Sequence, residues 1–326
     1  MVRSSPWGMD SAQFTFGEEL GYFAAEDINI DYVVAQGSLA AVQQVVGGHG
    51  DLGYLSPESL AVSFQDGNDP LPVVLTYNAY PKTVWEVVVL QDSPITDFAG
   101  LKGKTIGVGT NSSGNVPFTK AALNAAGFSD TDYQFLAVGF GPQAFHALTS
   151  GQIDALNLFH TMHESLASSG TAIRRLSYPE GFREVPSSSI FFGTDFVREK
   201  PDVVAGFGRA LAKANLACKT NPEACARSLW RAMPELRVPG SEEKALKGAV
   251  ATINVNFDHM LPDFVKPGEY GAFYPDSVRA LLEAAKDGGL LASADIPDDN
   301  IFTNEFVSQY NDFDADEVIK RARAAE

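Results

Sequence analysis

Acid–base, nucleophilic and metal chemistry would have to come from few residues in this sequence. It holds five histidines, His49, His146, His160, His163 and His259, and two cysteines, Cys218 and Cys225. No histidine stands in a Ser/His/Asp or Cys/His pattern. Neither an HExxH helix nor a P-loop lysine motif occurs, and Gly107-Val108-Gly109 alone is no dinucleotide fingerprint. His160 and His163 have the i, i+3 spacing that can chelate a metal, but no third ligand accompanies them. His163 is expected as a solvated helix residue. No catalytic residue, metal or cofactor is therefore expected.

The residues suited to holding a guest sit at strand ends. Trp7 follows a short strand and could stack on a flat molecule, or lie buried under the first helix. Asp10 closes the same loop. Gly37 and Ser38 open a helix, where free backbone N–H groups and the hydroxyl could receive an anion or carbonyl. Plain N-capping by Ser38 is compatible with that role. Ser56, before Pro57, repeats the arrangement. Asn111, Ser112 and Ser113 precede another helix and suit an anionic head group. Phe159 and His160 end a strand and open a helix, and His160 could donate to a ligand. Tyr77 and Asn78 close a long apolar strand, and an Asn amide can both donate and accept.

These loops need elements to hold them. Residues 2–5 read as the tail of a strand. Residues 28–34 alternate apolar and polar, as a strand does. A helix from Ser38, a short strand over 51–55 and a helix from Pro57 follow. Residues 71–77 form a nearly continuous apolar strand, expected to be buried on both faces. Strands over 85–90, 104–108, 133–138 and 153–159 alternate with helices ending near 126, 150 and 168. A strand over 187–192 has no partner nearby in sequence. The remainder is helical, with apolar i, i+3, i+4 spacing over 203–217, 224–233, 245–257, 278–291 and 318–322. Such βα alternation predicts α/β architecture, with mostly parallel sheets flanked by helices and a cleft at the strand carboxyl ends.

Length and charge narrow the function. The 326 residues suit about two domains. Lys and Arg number 24 against 41 Asp and Glu, a net charge of −17. Such a surface has no electrostatic footprint for nucleic acid or an anionic membrane. No apolar run approaches the roughly 18 residues of a spanning helix. The first ten residues hold no apolar signal core. A cytosolic protein fits that, as does the favoured reading, a secreted protein whose signal peptide has been removed. Cys218 and Cys225 flank Asn221-Pro222, a helix stop followed by a helix start. A bridge across that corner is geometrically possible in an oxidising compartment, and two small buried thiols are the plain alternative.

Four segments, taken in order, resemble one family. They are Gly21-Tyr22-Phe23-Ala24-Ala25-Glu26 before Ile28-Asn29-Ile30, and Gln36-Gly37-Ser38 leading to Gly50-Asp51-Leu52-Gly53. Leu101-Lys102-Gly103-Lys104-Thr105-Ile106-Gly107-Val108 and Ala147-Leu148-Thr149-Ser150-Gly151-Gln152-Ile153-Asp154-Ala155 complete the set. The pattern over roughly 20–156 resembles the nitrate/sulfonate/taurine-type and thiamine-pyrimidine-type substrate-binding proteins of ABC importers. Asp97 stands further from Leu101-Lys102-Gly103 than usual, which affects a turn. The cysteine-rich signature of the related fungal pyrimidine-forming enzymes is missing.

The resemblance implies a two-lobed type 2 periplasmic-binding fold. Lobe 1 would comprise 1–79 and 195–326, lobe 2 would comprise 80–194, and the hinge would fall near 77–81 and 189–195. That places Tyr77 and Asn78 at the hinge. The implied function is extracytoplasmic capture of a small organic ligand (a heterocycle, aromatic acid or sulfonate) by hinge closure. The implied partner is a membrane permease, with a monomer as the default state. The protein would be periplasmic or membrane-anchored. Two rivals remain: a cytosolic enzyme on the same fold, using His160 with Asp10 as an acid–base pair, and a ligand-sensing module for a receptor.

Overall fold

The computed structural model describes residues 1–3, 6–35, 37–237 and 239–326. Ser4, Ser5 and Gln36 of the expected segments lie outside the described residues. Two five-stranded sheets organise the chain. The first contains β1 (Val2–Arg3), β2 (Val33–Val34), β3 (Leu52–Leu55), β4 (Val73–Tyr77) and β10 (Ser189–Gly193), in the order β2-β1-β3-β10-β4. The second contains β5 (Trp85–Leu90), β6 (Lys104–Val108), β7 (Tyr133–Ala137), β8 (Ala155–Phe159) and β9 (Ile173–Leu176), in the order β7-β6-β8-β5-β9.

Each sheet is parallel except for one strand. β10 runs antiparallel to both β3 and β4, and β5 runs antiparallel to both β8 and β9. These two strands are the ones that follow a crossing between sheets. A chain entering from the neighbouring sheet needs no crossover helix, so it can pair in the reverse sense. The strand expected over 187–192, which had no local partner, is β10, and it returns the chain to the first sheet.

Both faces of each sheet are covered. In β10, Phe191 packs with Val42, Leu60 and Leu75, whereas Phe192 packs with Phe14, Phe207 and Tyr310 on the other face. In β5, Val87 and Val89 pack with Phe118, while Val88 packs with Leu156 and Leu166. The period-2 alternation of side chains thus feeds two cores from one apolar run.

Five long helices of the carboxyl-terminal stretch are Pro201–Thr220, Pro222–Ala232, Glu242–Met260, Pro275–Asp287 and Ala315–Ala324. Most of their apolar faces close the first core, through Leu211, Leu229, Ile253 and Val318. Leu281 on Pro275–Asp287 goes elsewhere: it is fully buried in the second lobe's core beside Phe118 and Val87. Cys218 and Cys225 form a disulfide across the corner between the first two of these helices. Asn221 caps the second one, accepting from the Ala224 N–H at 3.1 Å.

One strand is shorter than its sequence pattern. Of residues 28–34 only Val33–Val34 form a strand, at an exposed sheet edge, and the Tyr32 ring packs against Trp7 at 4.8 Å.

Candidate functional site

A cavity of about 80 Å³, partly open to solvent, lies between the two sheets. The first lobe lines it with Arg3 from the end of β1, Asp10, Tyr54 from β3, and the start of the helix Ser38–Val46. The second lobe lines it with Trp85 from the start of β5, Phe140, Phe159 from the end of β8, and the starts of the helices Asn115–Ala125 and His160–Ser168. Tyr80, Val84 and Ser188 line it from the crossing segments. Three helix amino termini therefore meet one cavity, each with N–H groups unused by its own helix.

The two crossing segments are paired. Tyr80 N–H donates to the Ser188 carbonyl at 3.1 Å, and Ser187 N–H donates to Tyr80 at 3.0 Å. Ser187 Oγ also accepts from the Val84 N–H at 3.1 Å. The paired crossing segments thus form part of the cavity wall.

Six of the twelve candidate residues line the cavity: Asp10, Gly37, Ser38, Ser113, Phe159 and His160. Gly37, not Ser38, occupies the N-cap position, with φ at +100°. It also abuts the second lobe, since a Cβ there would come within 2.7 Å of the Ser112 carbonyl oxygen. Both the backbone and the approach favour glycine.

The other six lie elsewhere. Trp7 is half-buried, its ring 4.2 Å from the Arg3 guanidinium carbon. Ser56 is buried and donates to Glu58 Oε1 at 2.7 Å, which occupies its hydroxyl in the fold. Tyr77 is packed on Tyr310 in the first core, and its hydroxyl accepts from Asn215 at 3.3 Å. Asn78 is committed to Gly271 and Ala272, with its N–H and side-chain amide donating at 2.9 and 3.1 Å. Asn111 and Ser112 are exposed at the rim, ahead of the helix start.

Arg3, Tyr54, Tyr80, Trp85, Asn115 and Phe140 line the cavity beyond the twelve. Of these, Asn115 had the clearest signal, because it directly follows Ser113-Gly114 at the helix start. Asn115 Nδ2 donates to the backbone oxygen and to Oδ1 of Asn157, both at 2.7 Å.

Burial sets the electrostatics. It pushes the Asp10 carboxyl up, against the pull of Arg3. It depresses His160 to about 3, helped by the neighbouring His259. The His160 and His259 rings stack at 4.1 Å, so the two lobes touch through a pair of imidazoles. His259 Nδ1 donates to the Thr83 carbonyl at 2.7 Å. His163, expected in solvent, is instead fully buried, its Nδ1 3.1 Å from Glu86 Oε2. Burial works to raise Glu86, but the His163 hydrogen bond and the charges of His163 and Arg175 hold it down at about 2. Glu86 is ionised, so His163 donates. That pairing explains why an apolar interior accepts the imidazole.

No group of three or more His, Cys, Asp or Glu among the described residues could hold a metal ion. No helix among them is long and apolar enough to cross a membrane. His160 and Asp10 share the cavity, yet His160 Nδ1 is directed at the Val84 carbonyl, 3.3 Å away. An acid–base pair would need that nitrogen, or its partner, on Asp10.

Comparisons with known proteins agree with this architecture. A family model described as NMT1/THI5 like matches residues 9–225. A solved structure from Bordetella bronchiseptica RB50 is 22% identical, with a TM-score of 0.72 and 95% of each chain covered. A Candida albicans gene product described as having the generic periplasmic binding protein fold is 16% identical. Its TM-score is 0.64, over 95% of this chain and 93% of that one. The periplasmic aliphatic sulphonate binding protein SsuA from Escherichia coli is 18% identical, with a TM-score of 0.64 over 93% and 91% of the chains. No curated protein matches by sequence. At these identities the likeness establishes a shared two-lobed periplasmic-binding fold.

Proposed function

The chain belongs to the NMT1/THI5-like family, and from that premise we propose that it is the extracytoplasmic solute-binding component of an ABC importer. One observation carries the reading. Five buried side-chain atoms on cavity residues have no hydrogen-bond partner among the described residues: Arg3 Nε, Trp85 Nε1, Asn115 Oδ1, His160 Nε2 and Thr161 Oγ1. Buried polar groups are normally paired. Ten further atoms of this kind lie on residues away from the cavity, and the five on its lining are the ones a polar guest between the lobes would be placed to pair.

Capture works through differential contact. Arg3 and Asp10 belong to one lobe, and Trp85, Asn115 and His160 to the other. A guest touching both sets binds the closed arrangement more tightly than the open one, and so shifts the population. In this reading lobe 1 comprises about 1–79 with the carboxyl-terminal stretch, and lobe 2 the segment between. The hinge then falls near 77–81 and 189–195, and the hydrogen bonds joining Tyr80 to Ser187 and Ser188 support a crossing close to Ser189. The closed protein, acting as a monomer outside the cytoplasm, hands its guest to a membrane permease. The guest leaves unaltered in this reading: His160 directs its Nδ1 at the Val84 carbonyl and not at Asp10.

A thermal-shift screen against aromatic acids, heterocycles, sulfonates and nitrate tests this reading. A true guest at 100 times its Kd stabilises the protein by about 2.7 kcal/mol. Mass spectrometry of the released compound should return its original mass. Turnover of any compound in the screen would refute a purely binding role.

A further inference from the structure

The cavity contains a guanidinium that no carboxylate among the described residues pairs directly. Arg3 is only 4% exposed. Among the described residues no carboxylate lies within 4 Å of it. Its Nη2 donates to the Pro6 carbonyl at 3.2 Å, and its Nε is unpartnered. Asp10 lines the same cavity and the charge of Arg3 acts on it, but burial outweighs that pull and raises its carboxyl, and its oxygen accepts from Ser11 Oγ at 3.3 Å rather than pairing with the guanidinium. A buried cation in this state calls for an anion on the guest, and the guanidinium fork suits a carboxylate or sulfonate.

The other lobe offers acceptors. Asn115 must turn its Nδ2 towards Asn157, because the backbone carbonyl it meets there can only accept. Its Oδ1 is left buried and unpartnered. The same logic fixes His160. Its Nδ1 faces the Val84 carbonyl, so the proton sits on Nδ1 and Nε2 keeps a bare lone pair. That Nε2 is also buried and unpartnered. Both acceptors belong to residues that line the cavity, and a guest that reached them would pair them with a donor. Tyr54, Trp85, Phe140 and Phe159 make much of the remaining wall aromatic.

We propose that the guest is a planar aromatic acid that also carries an N–H donor, in the chemical class of an aminobenzoate or an indole carboxylate. The inference rests on the reading of the chain as a solute-binding protein. The acid group pairs with Arg3, the ring lies among the aromatic side chains, and the N–H meets Asn115 Oδ1 or His160 Nε2. A simple alkanesulfonate satisfies Arg3 and leaves both acceptors empty. A neutral heterocycle satisfies the acceptors and leaves the guanidinium unpaired. Either shortfall is costly, because a buried polar group without its partner loses hydration for nothing.

Isothermal titration of the whole protein at pH 7 tests this directly. The probes are 4-aminobenzoate, 2-aminobenzoate and indole-3-carboxylate, against benzoate, methanesulfonate and 4-aminopyrimidine. At least one of the first three should bind. Benzoate should bind at least tenfold more weakly than the best aminobenzoate, or indole-3-carboxylate should exceed its carbocyclic analogue, 1-naphthoate, by the same factor. Arg3→Gln should lower the affinity for the best probe at least tenfold. If that variant does not fold, the ligand series on the unaltered protein decides. Failure of all three acids to bind, or loss of the N–H without loss of affinity, overturns the inference. Tighter binding of methanesulfonate or 4-aminopyrimidine overturns it too, while leaving the solute-binding reading in place. Chemical conversion of a probe would instead overturn that reading.

Discussion

Gly37 and Ser112 meet across the mouth of the cleft, so close that a Cβ on Gly37 would lie 2.7 Å from the Ser112 carbonyl oxygen. Ser38 and Gly114 approach beside them, with Ser38 Oγ 3.5 Å from where a Gly114 Cβ would stand. The lobes thus touch backbone to backbone, at the start of one helix and just before another.

Gly37→Ala should therefore hold the lobes apart. The added methyl clashes with Ser112, and φ of +100° strains any L side chain at a cost of about 1–3 kcal/mol. Ligand affinity should fall at least tenfold, with a melting temperature lowered by only a few degrees. Unchanged affinity in a calorimetric titration would mean that closure does not need this contact.

The histidine stack makes stability depend on pH. His160 is depressed to about 3 in the folded protein against 6.5 when unfolded. A lowered histidine means the unfolded chain binds more protons, so stability is complete above pH 6.5 and declines as pH falls towards 3. His259 is lowered too and acts in the same direction. Melting temperatures recorded from pH 7.5 to 4.5 should fall steadily, and His160→Gln should flatten the decline. An equally steep decline in that variant would show that His160 is not responsible.

Leu281 ties the lobes together at the back. It extends from a helix of the carboxyl-terminal stretch into the second lobe's core, fully buried. Asn124 Nδ2 donates to the Gly288 carbonyl at 3.0 Å alongside it. Leu281→Ala should cost about 2–5 kcal/mol. If the lobes are coupled through this contact, calorimetry should show one transition in the parent and two in the variant.

Reduction of the Cys218–Cys225 bridge should be tolerated but felt. It closes a loop with a sequence separation of 7. Chain-entropy reasoning gives about 2–3 kcal/mol for so short a loop. Cys218→Ser with Cys225→Ser should lower the melting temperature by several degrees. No change on substitution would assign the corner's stability to Asn221, which caps the second helix and donates to Ala322 and Ala325.

Much of the fold was legible because strand and helix periods are written locally. The helix from His160 to Ser168 and the unpartnered strand near Ser189 follow directly from apolar spacing and strand-end signals. The site was less legible because lining depends on how distant loops face each other. Trp7 was the evident candidate in its loop, yet its neighbour in space, Arg3, reaches the cavity while Trp7 packs against it. His163 looked solvated because nothing near it in sequence indicates Glu86, 77 residues away. Tyr77 sits at a strand end but meets Tyr310, from near the far end of the chain. Ser56 and Asn78 have the right types for a ligand, and other parts of the fold use them first.

Equilibrium dialysis of the protein against a mixed pool of small metabolites, read by mass spectrometry, bears most directly on the central claim. The expected result is enrichment of one small organic acid to a single equivalent per chain, recovered with its mass unchanged. Enrichment of nothing, or depletion of a compound matched by a product of different mass, would contradict it.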